Sequence, residues 1–340
     1  MKHKMTSITI CTFNIENLFG RYKVFGFLPG DQYKHKVLSP EELDEKGGFL
    51  PGEIAQKDSF QIFDKEEWRT LTAKALKGNT ENYPDIACLI EVESMRVLRK
   101  FNKDYLDGVY PHALLIDSHD PRLIDVGVLS KHKIIDVKTH MEEPYNDKSG
   151  YLFSRDCLEV TFDIKGTSLT IFVNHLKSKL GKAGDDTSDK KRLAQATRVA
   201  ELVKDRFKGS AFSDRTFAVV GDFNDSPDSE YLKPLVKDLG LENVVKRISD
   251  KANQWTHWWA GKNLVNQIDY ILVSPKLAND SPKAPYIEHR GISSAKKNSY
   301  FATPGDEKGE KINFEFERFP EVTDKIEASD HCPVFFEIKL

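Results

Sequence analysis

The chain has 340 residues, of which 39% are hydrophobic, 11% aromatic and 30% charged, a balance that supports a large buried core and excludes disordered and fibrous classes. Its 50 basic and 53 acidic residues leave a formal charge of -3, so no protein-wide positive field draws in a polyanion and any contact with one must be local. Four dispersed cysteines, Cys11, Cys88, Cys157 and Cys332, form no CxxC pair and read as buried reduced thiols rather than a zinc site or disulfide framework.

At the N-terminus, polar residues interrupt MKHKMTSITICTF, which runs directly into a strand pattern, unlike a signal peptide. No apolar run approaches the roughly 18 residues that a membrane span needs. The expectation is a cytoplasmic, monomeric protein without a membrane segment.

Runs rich in β-branched and apolar residues predict strands over 8–13, 86–90, 125–129, 169–173, 217–220, 268–273 and 334–338. Helical spacing is clearest over 188–207, where Leu193, Ala196, Val199, Ala200, Val203 and Phe207 recur on one face, and shorter helices are predicted over 66–76 and 229–239. Segments 21–63, 180–190 and 280–311 are rich in Gly, Pro, Ser and charge and read as surface loops. Strands mixed with helices point to an α/β sandwich. With no internal repeat and polar motifs spread over the whole length, one domain, 1–340, is expected, with loop insertions near 21–63 and 280–311.

Polar residues fall in a regular place relative to these strands. Asn14, Glu91, Asn174 with His175, and Asp222 with Asn224 each follow an apolar run, whereas Asp269 opens one and Ser329, Asp330 and His331 precede another. Antiparallel placement would bring both sets to one rim of the scaffold. Carboxylates, amides and imidazoles without a cysteine make an oxygen-rich site suited to Mg²⁺ or Mn²⁺.

The blocks TFNIENL, IEVES, VNHLKSK, VVGDFNDSP, QIDYILVS and SDHCPV occur in the order typical of the endonuclease/exonuclease/phosphatase superfamily, which the chain resembles from residue 6 to residue 340. The resemblance implies a deoxyribonuclease I-like fold, a four-layer α/β/β/α sandwich of two mixed sheets flanked by helices. It also implies a divalent-metal-dependent hydrolase. Metal ligands would be Glu91, Asn14 and Asp330, with Glu16 as a second carboxylate. Asp222 and Asn224 would position water and phosphate, His331 would exchange a proton with Asp269 fixing its ring, and His175 and Arg155 would complete a catalytic set like that of the nuclease branch.

Lys177 and Lys179 would extend a phosphate track, and Trp258, with Trp255 and Trp259, would offer a stacking surface for bases. Solvated charge is the competing role for the two lysines, an ion pair for Arg155 and core packing for two of the tryptophans. His289, Arg290, Lys296 and Lys297 form a modest basic cluster in the 280–311 segment. GDFNDSP departs from the Gly-Asp-Leu-Asn-Tyr-Arg run of the inositol-phosphatase branch, and Ile90 stands where Gln usually precedes the metal-binding Glu. The expected function is therefore hydrolysis of DNA or RNA phosphodiesters, as an endonuclease or exonuclease, with a small or lipid-linked phosphate ester as the alternative. A non-catalytic module is disfavoured because every acidic and imidazole position of the set is present.

Overall fold

In the computed structural model the described residues are 6–20, 66–80, 82–145, 150–179, 187–208, 212–293, 299–302, 308–312 and 317–340. The strands over the first half are β1 (Ser7–Leu18), β2 (Ile86–Val92), β3 (His112–Leu115), β4 (Asp125–Ser130), β5 (Lys133–Lys138), β6 (Leu158–Ile164) and β7 (Thr167–His175). They continue as β8 (Phe217–Asp222), β9 (Glu242–Asn243), β10 (His257–Trp259), β11 (Leu264–Asn266) and β12 (Asp269–Val273). The last four are β13 (Tyr286–Ile287), β14 (Ser299–Ala302), β15 (Lys308–Ile312) and β16 (Val334–Lys339).

Two six-stranded mixed sheets, β13-β16-β1-β2-β4-β3 and β5-β6-β7-β8-β12-β9, carry the fold, and a four-stranded sheet, β10-β11-β14-β15, stands beside them. The helices are α1 (Glu66–Ala75), α2 (Met95–Tyr105), α3 (Thr187–Arg206), α4 (Lys233–Val236) and α5 (Pro275–Asp280). Among the described residues no helix is long and apolar enough to cross a membrane. All four cysteines are buried and free, as expected for reduced thiols.

Strand pleating sorts side chains into three cores, because successive residues point to opposite faces. Ile8 and Ile10 of β1, Ile86 and Cys88 of β2, Ile171 and Val173 of β7 and Val220 of β8 meet in a core between the two large sheets. The opposite faces of β1 and β2 present Cys11, Phe13, Ala87 and Leu89 to Leu71 of α1 and Leu98 and Phe101 of α2. On the other side Phe172, Phe217 and Val219 meet Val199 and Val203 of α3 and Leu235 of α4. The result is the α/β/β/α sandwich, with strands buried on both faces reading as continuous apolar runs.

Local chemistry accounts for the departures from expectation. Helix α2 is not among the predicted elements, although Ser94 caps it by accepting from Val97 N at 3.3 Å and Val97, Leu98 and Phe101 share its buried face. The predicted helix over 229–239 is a 3-10 turn, Glu230–Leu232, followed by the single turn of α4, which begins around Pro234. Leu193, assigned to the apolar face of α3, is an exposed residue.

Segment 280–311 is not simply a surface loop. It adds β13 to the edge of the first large sheet and supplies β14 and the start of β15, with Ile287, Ile292 and Ser299 buried. Its basic cluster also dissolves in part: His289 is buried with Nε2 2.9 Å from Trp255 O, and Arg290 pairs with Glu288. Lys296, Lys297, segment 21–63 and residues 180–186 lie outside the described residues.

Burial pushes the His289 proton affinity down to about 4, only partly opposed by the bond to Trp255. The unfolded chain, with an ordinary imidazole near 6.5, then binds more protons between these values, so stability is lost as pH falls through that window. His289→Gln, which keeps a donor for Trp255, is expected to remove a loss of about 3 kcal/mol from the urea-unfolding profile between pH 6.5 and 4. An unchanged profile would show that His289 does not titrate this way.

Gly221 has φ +130°, and a Cβ there would stand 1.9 Å from Asn174 O on β7. Only glycine allows β7 and β8 to approach in the parallel register that pairs Asn174 with Gly221 and His175 with Asp222. Gly221→Ala is expected to lower unfolding free energy by at least about 3 kcal/mol in urea titrations, and a variant as stable as the parent would refute the clash.

Candidate active site

The interior-facing stripe of each central strand changes from apolar to polar at one end. On β7 it runs Leu169, Ile171, Val173 and then His175; on β8, Ala218, Val220 and then Asp222; on β12, Val273, Ile271 and then Asp269. On β1 it runs Ile8, Ile10, Thr12 and then Asn14. The polar groups therefore cap the core between the sheets, and they line or adjoin an open cavity of about 270 Å³. Asn14 belongs to β1 itself rather than to a following loop.

Glu91 arrives by a different device. Pleating would point it toward the helix layer with Ala87 and Leu89, but a register irregularity between Ile90 and Val92 and a φ of +68° turn it into the cavity. A β-bulge re-aims a side chain in this way. Asn17 N donates to Glu91 Oε2 at 3.1 Å and holds the new direction.

Across the sheet, His175 pairs in register with Asp222 and Asp222 with Asp269, giving one row over three strands. His175 Nε2 stands 3.6 Å from Asp222 Oδ2 and 3.9 Å from Glu91 Oε1. Asn14 Nδ2 donates to Asp222 Oδ2 at 3.1 Å from the other sheet, while Asn224 donates its backbone N–H to Asp222 Oδ1 at 2.8 Å. The Asn224 amide reaches Leu176 O at 3.1 Å and Asp222 Oδ2 at 3.2 Å, so it is occupied in steadying that carboxylate. His331 Nδ1 lies 2.9 Å from Asp269 Oδ2, and its Nε2 faces Asp222 and Asp330 at 3.9 and 3.8 Å.

The two histidines are driven apart electrostatically. Burial alone would favour neutral His331, yet the carboxylates of Asp269, Asp330 and Asp222 hold its proton affinity well above the ordinary value. His175 is pushed well below it, first by burial and then by Arg155 and Arg122. Burial also raises Glu91, against the pull of His331, and pushes Asp222 up to about 7, with Asp269 adding to the rise. Asp330 goes the other way: against burial, His331 and His257 hold its carboxyl well below the ordinary range. With Asn14, Glu91, Asp222 and Asp330 as an oxygen-rich donor set, the residues fit a hard divalent cation.

The remaining predicted residues divide between the cavity and its surroundings. Lys179 lines it, with Nζ 2.8 Å from Asp225. Lys177 does not, and neither does Glu16, which lies in the β1 irregularity with φ +48°. Arg155 is buried, with its guanidinium committed to Asp120 at 3.0 Å and Leu176 O at 2.7 Å, so it is an ion-pair partner beneath the site. Trp258 is 5% exposed and faces the core, while Trp259, its neighbour on the opposite face of β10, lines the cavity. Trp255 is also in the core, its ring centroid 4.1 Å from that of His289.

Arg122 and His257 are among the cavity residues that the sequence patterns do not single out. Arg122, 55% exposed and 3.4 Å from Asp120, supplies the guanidinium at the mouth that Arg155 does not. No periodicity marks a lone Arg in a turn. Strand alternation puts His257 on the same face as Trp259, a signal that chooses Trp259 over Trp258 for the cavity.

The chain belongs to the endonuclease/exonuclease/phosphatase family, whose model matches residues 9–340. Solved structures of similar fold include truncated TDP2 from Caenorhabditis elegans, at TM-score 0.55 and 14% identity over 98% of both chains. Beta toxin 275-280 from Staphylococcus aureus aligns at TM-score 0.55 and 13% identity over 96% of this chain and 98% of its own. The human Nocturnin catalytic domain with bound sulfate aligns at TM-score 0.51 and 16% identity over 98% and 96%. At such identities the likeness is one of fold, the deoxyribonuclease I-like sandwich. Curated protein sequences give no match.

The division between Arg155 and Arg122 is measurable. Removing one partner of a buried pair costs about 3–5 kcal/mol, so Arg155→Met is expected to unfold at much lower urea. Arg122→Met, at an exposed site, is expected to stay within about 0.5 kcal/mol of the parent. Equal stability of the two variants would contradict the assignment.

Proposed function

We propose that the chain is a divalent-metal-dependent phosphodiesterase acting on nucleic-acid phosphodiester bonds. The observation that carries this reading is the convergence of Asn14, Glu91, His175, Asp222 and His331 on one open cavity, with Arg122, Lys179 and Trp259 on its margin. Family membership supports hydrolytic chemistry; the margin supports the substrate class.

Hydrolysis breaks one P–O ester bond, adding hydroxyl to phosphorus and a proton to the departing oxygen. A divalent cation bound by Glu91, Asn14 and Asp330 would neutralise charge developing on the phosphoryl oxygens. Asp222, oriented by Asn14 and Asn224, accepts a proton from the attacking water. His331, kept cationic by Asp269, faces the opposite charge that builds on phosphate and is placed to donate a proton. His175, kept neutral by burial and the neighbouring guanidinium groups, hydrogen-bonds a phosphate oxygen without adding a positive charge beside the cation.

Outside the reacting centre, the exposed fork of Arg122 matches two non-bridging oxygens. Trp259, with Lys262 Nζ 4.3 Å from its ring centroid, offers a flat face flanked by positive charge, which suits a base attached to the phosphate. This support is local, consistent with a chain whose overall charge is negative.

Labelled single-stranded, duplex and abasic DNA and single-stranded RNA, each with Mg²⁺ or Mn²⁺, test the reading. Cleavage is expected to require the cation, and Asp222→Asn or His331→Ala to lower kcat by roughly 10²- to 10⁴-fold. Turnover of small or lipid-linked phosphate esters with every nucleic acid left intact would replace the nuclease reading by the alternative. Cleavage that survives both substitutions would remove the site from the chemistry.

A further inference from the structure

Beside the oxygen-rich side of the cavity lies a second donor set of different chemistry. His257 Nε2 is 3.8 Å from Asp330 Oδ2, and His331 Nε2 is 3.8 Å from Asp330 Oδ1. All three residues offer ligand atoms within 4.8 Å of one another. The two imidazole rings stand 4.7 Å apart, tilted by 49°. Their backbones are antiparallel bridge partners, and Trp258 N donates to Asp330 O at 3.0 Å, so the carriers of the three side chains are tied together.

Each imidazole is also oriented from behind. His331 Nδ1 meets Asp269 Oδ2 at 2.9 Å, and His257 Nδ1 meets Asn266 Oδ1 at 3.0 Å. Both partner atoms are acceptors, so Nδ1 carries a proton in each ring and Nε2 is the atom turned toward Asp330. Metal-binding histidines are held by this same arrangement, an acceptor on one nitrogen and the ion on the other.

We propose that His257, Asp330 and His331 form a three-ligand site for a borderline divalent cation of the zinc class. Two imidazole nitrogens and one carboxylate suit zinc, with a fourth position left to water, whereas magnesium prefers an all-oxygen shell. Zinc binding releases the proton that the surrounding carboxylates hold on His331 Nε2 and takes up the nitrogen that hydrolysis requires. Zinc at this site therefore opposes the proposed reaction instead of promoting it, and this inhibitory consequence alone rests on that reading.

The test is binding by the full chain, read as competition for Zn²⁺ with a chromophoric chelator and by the visible absorption of bound Co²⁺. The parent is expected to take one zinc equivalent at this site. His257→Gln, and separately Asn266→Leu, which removes only the acceptor behind the ring, are each expected to weaken binding by roughly 10- to 100-fold and to diminish the cobalt bands. Circular dichroism identifies any variant that fails to fold, and the other variant then decides. A parent that does not compete for zinc, or folded variants that bind as tightly as the parent, would overturn the proposal. Because no readout depends on turnover, absence of nuclease activity would not be mistaken for absence of the site.

Discussion

The lateral register of β7, β8 and β12 sets the chemistry, because it places His175, Asp222 and Asp269 in one row. Two carboxylates directly opposite each other on neighbouring strands repel. The strain is relieved by His331, whose ring lies between them, bonded to Asp269 through Nδ1 and facing Asp222 through Nε2. Asp222 gains further relief from the amides of Asn14 and Asn224. A like-charge pair that would weaken an ordinary sheet is thus the reason an imidazolium is held in the cavity.

The second large sheet is joined to this row by short polar links. Asn14 reaches across the core to Asp222, and Ser329 Oγ donates to Asn14 O at 2.7 Å while accepting from His331 N at 3.0 Å. Ser329 therefore couples the position of His331 to β1, more than 300 residues away in sequence. Such links are satisfied at both ends, which is what makes polar groups tolerable at the end of an apolar core.

Much of this was legible in the sequence wherever a strand is buried on both faces, since a continuous apolar run ending in one polar residue is a local signal. The strands carrying Asn14, His175, Asp222 and Asp269 have that form. β5, whose burial pattern is mostly exposed, and the three-residue strands β10 and β11 of the smaller sheet fall below any periodicity window. Side-chain destination was harder to read than identity. Arg155 belongs to the catalytic set that the family resemblance implies, yet Asp120, brought close only by tertiary folding, engages it. Trp258 and Trp259 differ by one step of the pleat, and composition alone cannot choose between them. The turn at Glu91 requires a left-handed residue that no hydrophobic pattern announces.

Two residues that line the cavity, Glu91 and Asn224, and two in the β1 irregularity, Glu16 and Asn17, share that left-handed conformation, with φ between +48° and +68°. For residues with a Cβ such geometry costs on the order of 1–3 kcal/mol each and persists only where neighbours over-determine it. An edge held in this way has little freedom to remodel itself around different molecules. Adaptation to the shape of a bound molecule is accordingly left to the separate small sheet that bears Trp259 and its short strands.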